Sequence, residues 1–135
     1  MNDRYLYRAK RTNNGEWVEG YYAVKGVEEF ERHNIVVSTF NEHTSGYPFY
    51  FTDYEVDLST ICQCSGKHDK YYNRIFENDI VKVKGILYVC RFDEENFEWE
   101  FQNHEETIGI CCFQPSDIGI VGNAIDNPEL LEVGE

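Results

Sequence analysis

The residues best suited to chemistry stand in one stretch, where Cys62 and Cys64 are followed by His68. Thiolates and imidazoles are preferred ligands of zinc, which takes four of them, normally from two well-spaced pairs. Cys111 and Cys112 could offer one more ligand. However, Cys-x-Cys is tighter than the usual zinc spacing, and neighbouring residues on a strand point to opposite faces. The pattern therefore predicts no metal site and no cofactor.

The five cysteines are better explained as free thiols. Cys90, Cys111 and Cys112 stand among apolar residues, as small core side chains do, and we expect them to be buried. The opening "MNDRYLYRAKRTNN" has no apolar run like that of a secretory signal, and no stretch approaches the ~20 apolar residues of a membrane span. A cytoplasmic protein without a membrane partner is expected.

Asp69 and Asp79 are the remaining candidates for catalysis, as a pair of carboxylates. Asp69 lies in a polar turn, where its side chain can accept hydrogen bonds from backbone N–H groups. Asp79 follows a Glu-Asn corner and begins a strand. We expect structural roles for both, no catalytic residue and no enzyme. The four histidines have no nucleophile or carboxylate at motif spacing and are expected at the surface: His33, His43, His68 and His104.

The net charge narrows the choice of partners. The chain has 25 acidic and 12 basic side chains, a formal net charge of −13. Such a surface repels phosphates, so direct nucleic-acid binding is disfavoured and a basic protein partner is favoured. Glu98 and Glu100 would lie about 6.5–7 Å apart on one strand face, close to the phosphate spacing of single-stranded DNA. An acidic DNA mimic is therefore an alternative, although a solvated outer face explains these residues equally well.

The chain has more aromatic residues than one small core can bury. They include ten tyrosines and nine phenylalanines, several of them adjacent. A large apolar remainder on a surface is typical of an interface, so we expect a homo-oligomer. The residues concerned are Tyr21-Tyr22, Tyr47–Phe51 and Tyr71-Tyr72.

The first half of the chain reads as strands joined by turns, because β-branched and aromatic residues alternate with polar ones. Asn14-Gly15 is typical of a tight hairpin that needs positive φ. Val27–Asn34 fits either one helical turn or a polar loop. Strands are expected at Arg4–Lys10, Trp17–Gly26, Ile35–Phe40 and Phe49–Leu58, with a loop at Asn41–Pro48.

The second half predicts a small five-stranded barrel resembling that of Src-homology-3 domains. Phe97, Trp99 and Phe101 should share one strand face, opposite Glu98 and Glu100. Closure would hide the sheet edges. Asn127 and Pro128 predict a short helical turn near the C-terminus. The expected strands are Asp79–Lys84, Ile86–Phe92, Phe97–Phe101, Thr107–Phe113 and Ile118–Asn123. The chain is thus predicted to be all-β, a single domain over 1–135 with sub-lobes 1–60 and 75–125.

Three segments, Tyr7–Gly20, Ser65–Val83 and Ile120–Leu131, together resemble the YopX family of phage and prophage proteins. Tyr7–Gly20, "YRAKRTNNGEWVEG", is similar to its opening pattern, and Ser65–Val83, "SGKHDKYYNRIFENDIVKV", resembles its central signature. Ile120–Leu131, "IVGNAIDNPELL", is the most specific match. The sequence departs from the family where Tyr72 and Asn78 occupy common glycine positions. Asn78 is expected to keep the positive φ of glycine, whereas Tyr72 leaves the type of its turn open.

The resemblance implies a β-rich fold with a small barrel in the second half, and a homo-oligomer for which a ring is one arrangement. It also implies a phage or prophage origin in a Gram-positive bacterium, and it implies no activity. The leading interpretation is a non-enzymatic accessory protein that binds a host or phage macromolecule. The alternatives are an acidic mimic that inhibits a host nucleic-acid enzyme, and a sponge that holds a signalling nucleotide between subunits, where arginine or lysine faces an aromatic pocket.

Overall fold

The computed structural model describes residues 3–40 and 49–131 and confirms an all-β protein. Within these ranges the chain forms antiparallel strands, and its helical segments are 3-10 turns of three or four residues. The predicted loop Asn41–Pro48, with His43 and Tyr47, lies outside the described residues. By its contacts the chain divides into an N-terminal unit, Tyr5–Gln63, and a C-terminal unit, Met1–Arg4 with Cys64–Glu135.

Four strands of the N-terminal unit are β1 (Tyr7–Lys10), β2 (Trp17–Lys25), β3 (Arg32–Phe40) and β4 (Phe49–Glu55). They pair antiparallel in the order β4-β3-β2-β1. The loop between β1 and β2 holds one residue at positive φ, Gly15 at 71°, and is longer than the tight turn predicted from Asn14-Gly15. In Val27–Asn34, where the sequence fitted either a helical turn or a loop, the structure has a 3-10 turn at Glu28–Phe30.

One face of this sheet carries the core of the N-terminal unit. Antiparallel pairing of Tyr22 with Ile35 and of Val18 with Ala9 places these side chains on the same face. Ala9 and Ile35 are fully buried, and the buried Val56 belongs to the same apolar cluster. The core is therefore small, and Tyr7, Val18, Tyr22, Val37 and Ile61 pack against it only partly buried.

Strand β5 (Cys62–His68) begins in the N-terminal unit and ends in the C-terminal unit. In the C-terminal unit its last part pairs with β6 (Arg74–Phe76). Five further strands follow: β7 (Asp79–Val83), β8 (Ile86–Asp93), β9 (Glu98–Gln102), β10 (Thr107–Gly109) and β11 (Ile118–Asn123). They form an antiparallel sheet in the order β10-β9-β8-β7-β11. The core of the C-terminal unit includes Phe101, Tyr88, Ile75 and Cys90.

The five strands of the second half are confirmed, but their closure into a barrel is not. In the described part of the chain β10 and β11 are the two edges of the sheet and do not pair with each other. The predicted strand Thr107–Phe113 ends at Gly109, because the chain turns into a 3-10 segment at Ile110–Cys112. A three-residue β10 is too short to complete a ring of strands.

Phe97 is a second departure from the predicted pattern. The alternation predicted Phe97, Trp99 and Phe101 on one strand face. Phe101 is fully buried and Trp99 packs against the core, but Phe97 is 82% exposed. Its φ of 53° places it in the turn before β9, which begins at Glu98. The periodicity of a strand does not extend into the turn that precedes it.

The turns of the C-terminal unit follow the glycine preferences read from the sequence. Asn78 has a φ of 74°, which confirms that it keeps the conformation of the family's glycine. Lys84 and Gly85 both have positive φ and join β7 to β8 as a two-residue hairpin. Pro128–Leu131 forms the expected short turn of 3-10 helix.

The structure shows the backbone conformation of the turn at Tyr72, whose type the sequence left open. Tyr72 also adopts positive φ, at 66°, and its side chain is 87% exposed. An L-residue in this region costs roughly 1–2 kcal/mol, while glycine costs about 0.5–1 kcal/mol more chain entropy on folding. We expect Tyr72→Gly to raise the free energy of unfolding by up to about 1 kcal/mol in urea titrations. Tyr71→Gly is the matched control; if it stabilises equally, backbone strain at Tyr72 is not the cause.

Candidate functional site

Cys62 and Cys64, the two thiols considered as metal ligands, are buried and have different neighbours. Cys62, in the N-terminal unit, has no exposed surface, and its Sγ donates a hydrogen bond to the carbonyl oxygen of Thr60 at 3.3 Å. Cys64, in the C-terminal unit, is also fully buried and lies opposite Phe76 in the sheet. Across residues 3–40 and 49–131, no three His, Cys, Asp or Glu side chains come together in a way that could hold a metal ion.

His68 belongs to an ion cluster. Its Nε2 lies 3.2 Å from the carboxylate Oδ2 of Asp3, and the Nε of Arg74 lies 3.2 Å from the same oxygen. His68 and Arg74 are also cross-strand partners in β5 and β6. This arrangement gives His68 a structural partner in the N-terminal 3-10 turn.

Asp69 is buried in a shell of backbone donors. Its Oδ1 accepts hydrogen bonds from the N–H groups of Tyr71 and Asn73, each at 2.9 Å, and its Oδ2 accepts one from Ile120 at 3.3 Å. Burial by itself would raise the pKa of Asp69, but the hydrogen bonds from Asn73, Tyr71 and Ile120 outweigh it and lower the pKa. The expected turn-forming contacts of Asp69 are thus confirmed, and they also connect this turn to β11.

Asp79 stabilises the corner that leads into β7. The backbone N–H of Phe76 donates to its Oδ2 at 2.7 Å, and the side chain is 1% exposed. Beside it, the N–H of Asn78 donates to the carbonyl of Cys90 at 2.8 Å, and the Asn78 carbonyl accepts from Ala124 at 2.7 Å. The corner thereby joins β7, β8 and the segment after β11, so the family signature marks positions that organise the sheet.

A further concave feature lies elsewhere in the C-terminal unit. A cavity of about 500 Å³ opens between the β7–β8 turn, the end of β9 and the C-terminal 3-10 turn. This volume is within the range of small-molecule and peptide side-chain pockets. Its apolar wall is formed by Ile86, Leu87, Val89, Leu130 and Leu131, and its other lining residues are Gly85, Gln102, Asn103, His104 and Glu105.

The polar side of this cavity is fixed by local hydrogen bonds. Asn103 donates from Nδ2 to the carbonyl of Leu87 at 3.2 Å and accepts the N–H of Glu105 at 2.9 Å. His104 Nε2 lies 3.3 Å from the carbonyl oxygen of Leu131. A carbonyl can only accept, so this nitrogen of His104 must donate. His104 therefore joins the loop after β9 to the C-terminal turn.

The chemistry of the lining favours binding. Among the described residues, the titratable side chains of the lining are His104 and Glu105, and no serine, threonine, cysteine, tyrosine, lysine or arginine lines the cavity. The apolar wall of the cavity can hold an apolar group. The side-chain amides of Gln102 and Asn103, together with Glu105, can orient a hydrogen-bond donor or a cation. These residues are not predicted as a site by any sequence motif, although the segment resembling the YopX ending contains Leu130 and Leu131.

Gly122 controls the position of the C-terminal wall of the cavity. A Cβ at this position would lie 2.6 Å from Oδ1 of Asn127 and 3.1 Å from Leu130. Asn127 Oδ1 accepts the N–H of Asn123 at 3.2 Å, so it cannot withdraw without losing this bond. Gly122→Ala is therefore expected to displace the turn, to accelerate amide exchange in 128–131 and to lower the free energy of unfolding by about 1–3 kcal/mol.

Gly119→Ala is the matched control on the same strand. Its new Cβ would lie 3.4 Å from the flexible end of Lys70 and 4.0 Å from the carbonyl oxygen of Lys82, both ordinary contacts. Amide exchange in 128–131 should then remain as in the unchanged protein. Equal acceleration in both variants would show that β11 tolerates no methyl group and would remove the special role assigned to Gly122.

The acidic face of β9 differs from the expectation of a solvated row. Glu98 is exposed, but Glu100 is only 9% exposed. Burial, a hydrogen bond with Asp93 and the charges of Asp93 and Glu98 raise the pKa of Glu100. The two glutamates therefore do not form a matched pair of solvent-facing charges.

These features define a class of protein: an all-β chain with two antiparallel sheets and an apolar cavity beside the C-terminal turn. In the described part, no helix reaches the length and apolarity that crossing a membrane requires. The chain belongs to the YopX protein family, whose sequence model matches residues 6–132. The match covers nearly the whole chain and confirms the resemblance seen in the three sequence segments. No curated protein matches the sequence with significant similarity.

Proposed function

We propose that this protein is a non-enzymatic accessory protein of phage type, which self-associates and acts in the cytoplasm by binding a host or phage macromolecule. The observation that carries the proposal is the apolar surface exposed on the N-terminal unit. Its core buries few side chains, while large apolar residues remain open to solvent on its strands and its β2–β3 turn. These residues are Tyr21, Val24, Val27, Phe30, Tyr50 and Phe51.

Self-association is supported by a cluster on the sheet face opposite the core. Tyr21 pairs with Val36, and Phe51 lies diagonally across from Val36 on β4. Diagonal neighbours are about 7–8 Å apart, close enough for aromatic side chains to share one surface. Tyr21 is 45% and Phe51 72% exposed. A second copy of the chain could cover this cluster.

Partner binding is supported by the tip of the β2–β3 hairpin. Val27 and Phe30 are each 72% exposed, although the turn is well ordered by the hydrogen bond from Phe30 N–H to the Val27 carbonyl at 3.0 Å. A Cβ on Gly26 would lie 2.4 Å from the carbonyl oxygen of Phe30, so this turn is tightly folded. An aromatic side chain held on a rigid turn is typical of an interface anchor.

The charges around this tip favour a basic partner. Glu28, Glu29 and Glu31 are all exposed beside Phe30. With a net charge of −13, the chain would steer a positively charged surface toward this tip. We therefore assign the β2–β3 tip as the contact for a basic protein that offers an apolar pocket.

Light scattering over a concentration series tests self-association. A mass that is a multiple of 15.9 kDa is expected for the unchanged chain, with a lower multiple for Tyr21→Ser/Phe51→Ser. Tyr71→Ser is the control, since Tyr71 is 70% exposed on the C-terminal unit. A monomer at every concentration would overturn this part of the proposal.

Affinity capture from host lysate tests partner binding. The chain should retain a basic protein at low salt, and Val27→Ser/Phe30→Ser should lose it while remaining folded. Tyr71→Ser should retain it, because its altered side chain lies outside the tip. Retention by the tip variant would place the contact on another surface, and retention of no basic protein would remove the proposed partner class.

A nucleotide sponge is a second candidate, favoured by cations stacked on aromatic rings in the N-terminal unit. Arg8 and Lys10 lie 5.0 and 5.5 Å from the ring centre of Trp17, and Arg11 lies 4.5 Å from that of Tyr54. Such pairs can hold a base and its phosphates. A signalling nucleotide would then raise the thermal midpoint, and Trp17→Leu should abolish the rise. An unchanged midpoint with a panel of nucleotides would exclude this function.

A further inference from the structure

The only pair of neighbouring thiols in the sequence lies on the 3-10 turn after β10. Cys111 and Cys112 are both exposed, contrary to their predicted burial, whereas Cys62, Cys64 and Cys90 are fully buried. The prediction failed because it continued a strand through Phe113. The observed turn at Ile110–Cys112 directs its thiols to solvent.

The two thiols also lie on one turn. Cys111 and Cys112 are consecutive residues of the 3-10 turn Ile110–Cys112, and both are exposed. Their expected separation on opposite faces of a strand does not apply, because a 3-10 turn does not alternate side chains as a strand does. Two exposed sulfur atoms on consecutive residues of one turn can both bond to a single incoming atom.

The surroundings limit what this pair can bind. Among the described residues no third His, Cys, Asp or Glu completes a metal site with these thiols, so zinc, which requires four ligands, is disfavoured. Soft ions prefer thiolates over oxygen ligands. The suitable ligand is therefore a soft ion that is bound stably by two sulfur atoms.

A disulfide between the two cysteines is the competing chemistry. Neighbouring Cα atoms are about 3.8 Å apart across a trans peptide, whereas unstrained disulfides span about 4.4–6.8 Å. A bond between Cys111 and Cys112 would be strained and readily reduced. The pair is thus better suited to remain a dithiol and to chelate.

A small pocket adjoins one of the thiols. Cys111 lines a space of about 90 Å³ together with His68, Lys67, Phe113 and other residues of the C-terminal unit. This space could receive a small substituent carried by the ion. The pocket is separate from the 500 Å³ cavity, with which it shares no lining residue.

We propose that Cys111 and Cys112 form a two-thiolate site for a soft, thiophilic ion of the trivalent arsenic class. With an organoarsenic oxide, each thiol forms one sulfur–arsenic bond, and the arsenic–oxygen bond breaks. The two thiol protons leave with that oxygen as one water molecule, so no oxidant or reductant is needed. The product is a ring closed through both sulfur atoms.

Phenylarsine oxide is the probe for this site. The reduced, native chain should gain the mass of one probe molecule less one water, and two rapidly reacting thiols should disappear from a thiol titration. A monothiol competitor should displace the probe about 100-fold less readily from the unchanged chain than from Cys111→Ser or Cys112→Ser, since only the intact pair chelates. A dithiol competitor should release it from all three.

Two outcomes would overturn the proposal. Equal displacement by the monothiol from the unchanged chain and from both single variants would show that the thiols do not act as a pair. Stoichiometric binding that survives in Cys111→Ser/Cys112→Ser would place the probe on another cysteine. Far-ultraviolet circular dichroism of each variant confirms that the fold is intact, which these exposed positions lead us to expect.

Discussion

Replacing Phe101 with alanine is expected to lower the free energy of unfolding by about 3–5 kcal/mol. Phe101 has no exposed surface and lies at the centre of the C-terminal core, with ring centroids 6.1 Å from Tyr88 and 5.2 Å from Phe113. Truncation removes these contacts and leaves a cavity that the sheet cannot fill. Urea denaturation followed by tryptophan fluorescence measures the loss, and Phe101→Leu should lose less.

Phe97→Ala is the matched control for this prediction. Phe97 stands four residues earlier and shares the alternating pattern of β9, but its side chain is 82% exposed and makes only an edge contact with Phe92 at 6.5 Å. Its replacement should change the free energy of unfolding by less than about 1 kcal/mol. Similar losses in the two variants would mean that β9 begins earlier and buries both rings.

Asp69→Asn is expected to lower the free energy of unfolding by about 2–3 kcal/mol at pH 7. The buried carboxylate accepts the N–H groups of Tyr71, Asn73 and Ile120, and an amide replaces one of its oxygens with a donor. At least one backbone donor then faces another donor. Urea denaturation at several pH values measures the loss.

The loss should depend on pH in a defined direction. The pKa of Asp69 is lowered in the folded chain, so its ionisation contributes stability above the unfolded pKa of about 3.9. That contribution disappears as the pH falls through the folded pKa. The difference between the unchanged chain and Asp69→Asn should therefore be largest near neutrality and shrink below about pH 4.

Asp57→Asn is a suitable control, because Asp57 accepts the same kind of turn hydrogen bond from the N–H of Ser59 at 3.0 Å. Asp57 is exposed, so water can replace the lost interaction and the effect should be much smaller. A loss in Asp57→Asn as large as that in Asp69→Asn would contradict the importance of burial. A constant difference across the pH range would contradict the assignment of ionised Asp69.

The turns of this protein were predictable because their determinants are local. The φ values of Asn78 and Gly85 follow from which residues tolerate the left-handed region, and Asp69 accepts the expected backbone hydrogen bonds. The bond between Asp69 and Ile120 was not predictable, because 51 residues separate its partners. Such a contact depends on the pairing of β7 with β11.

The sequence by itself determined the all-β class, the approximate positions of most described strands and the membership of the YopX family, because period-two alternation, turn preferences and motif order are written along the chain. Only the tertiary structure decided the edges of the five-stranded sheet, the exposure of Cys111 and Cys112, and the cavity between Ile86 and Leu130. A strand pattern states which side chains alternate. Where the strand ends, and which distant segment covers it, is decided by packing between parts of the chain that no local pattern connects.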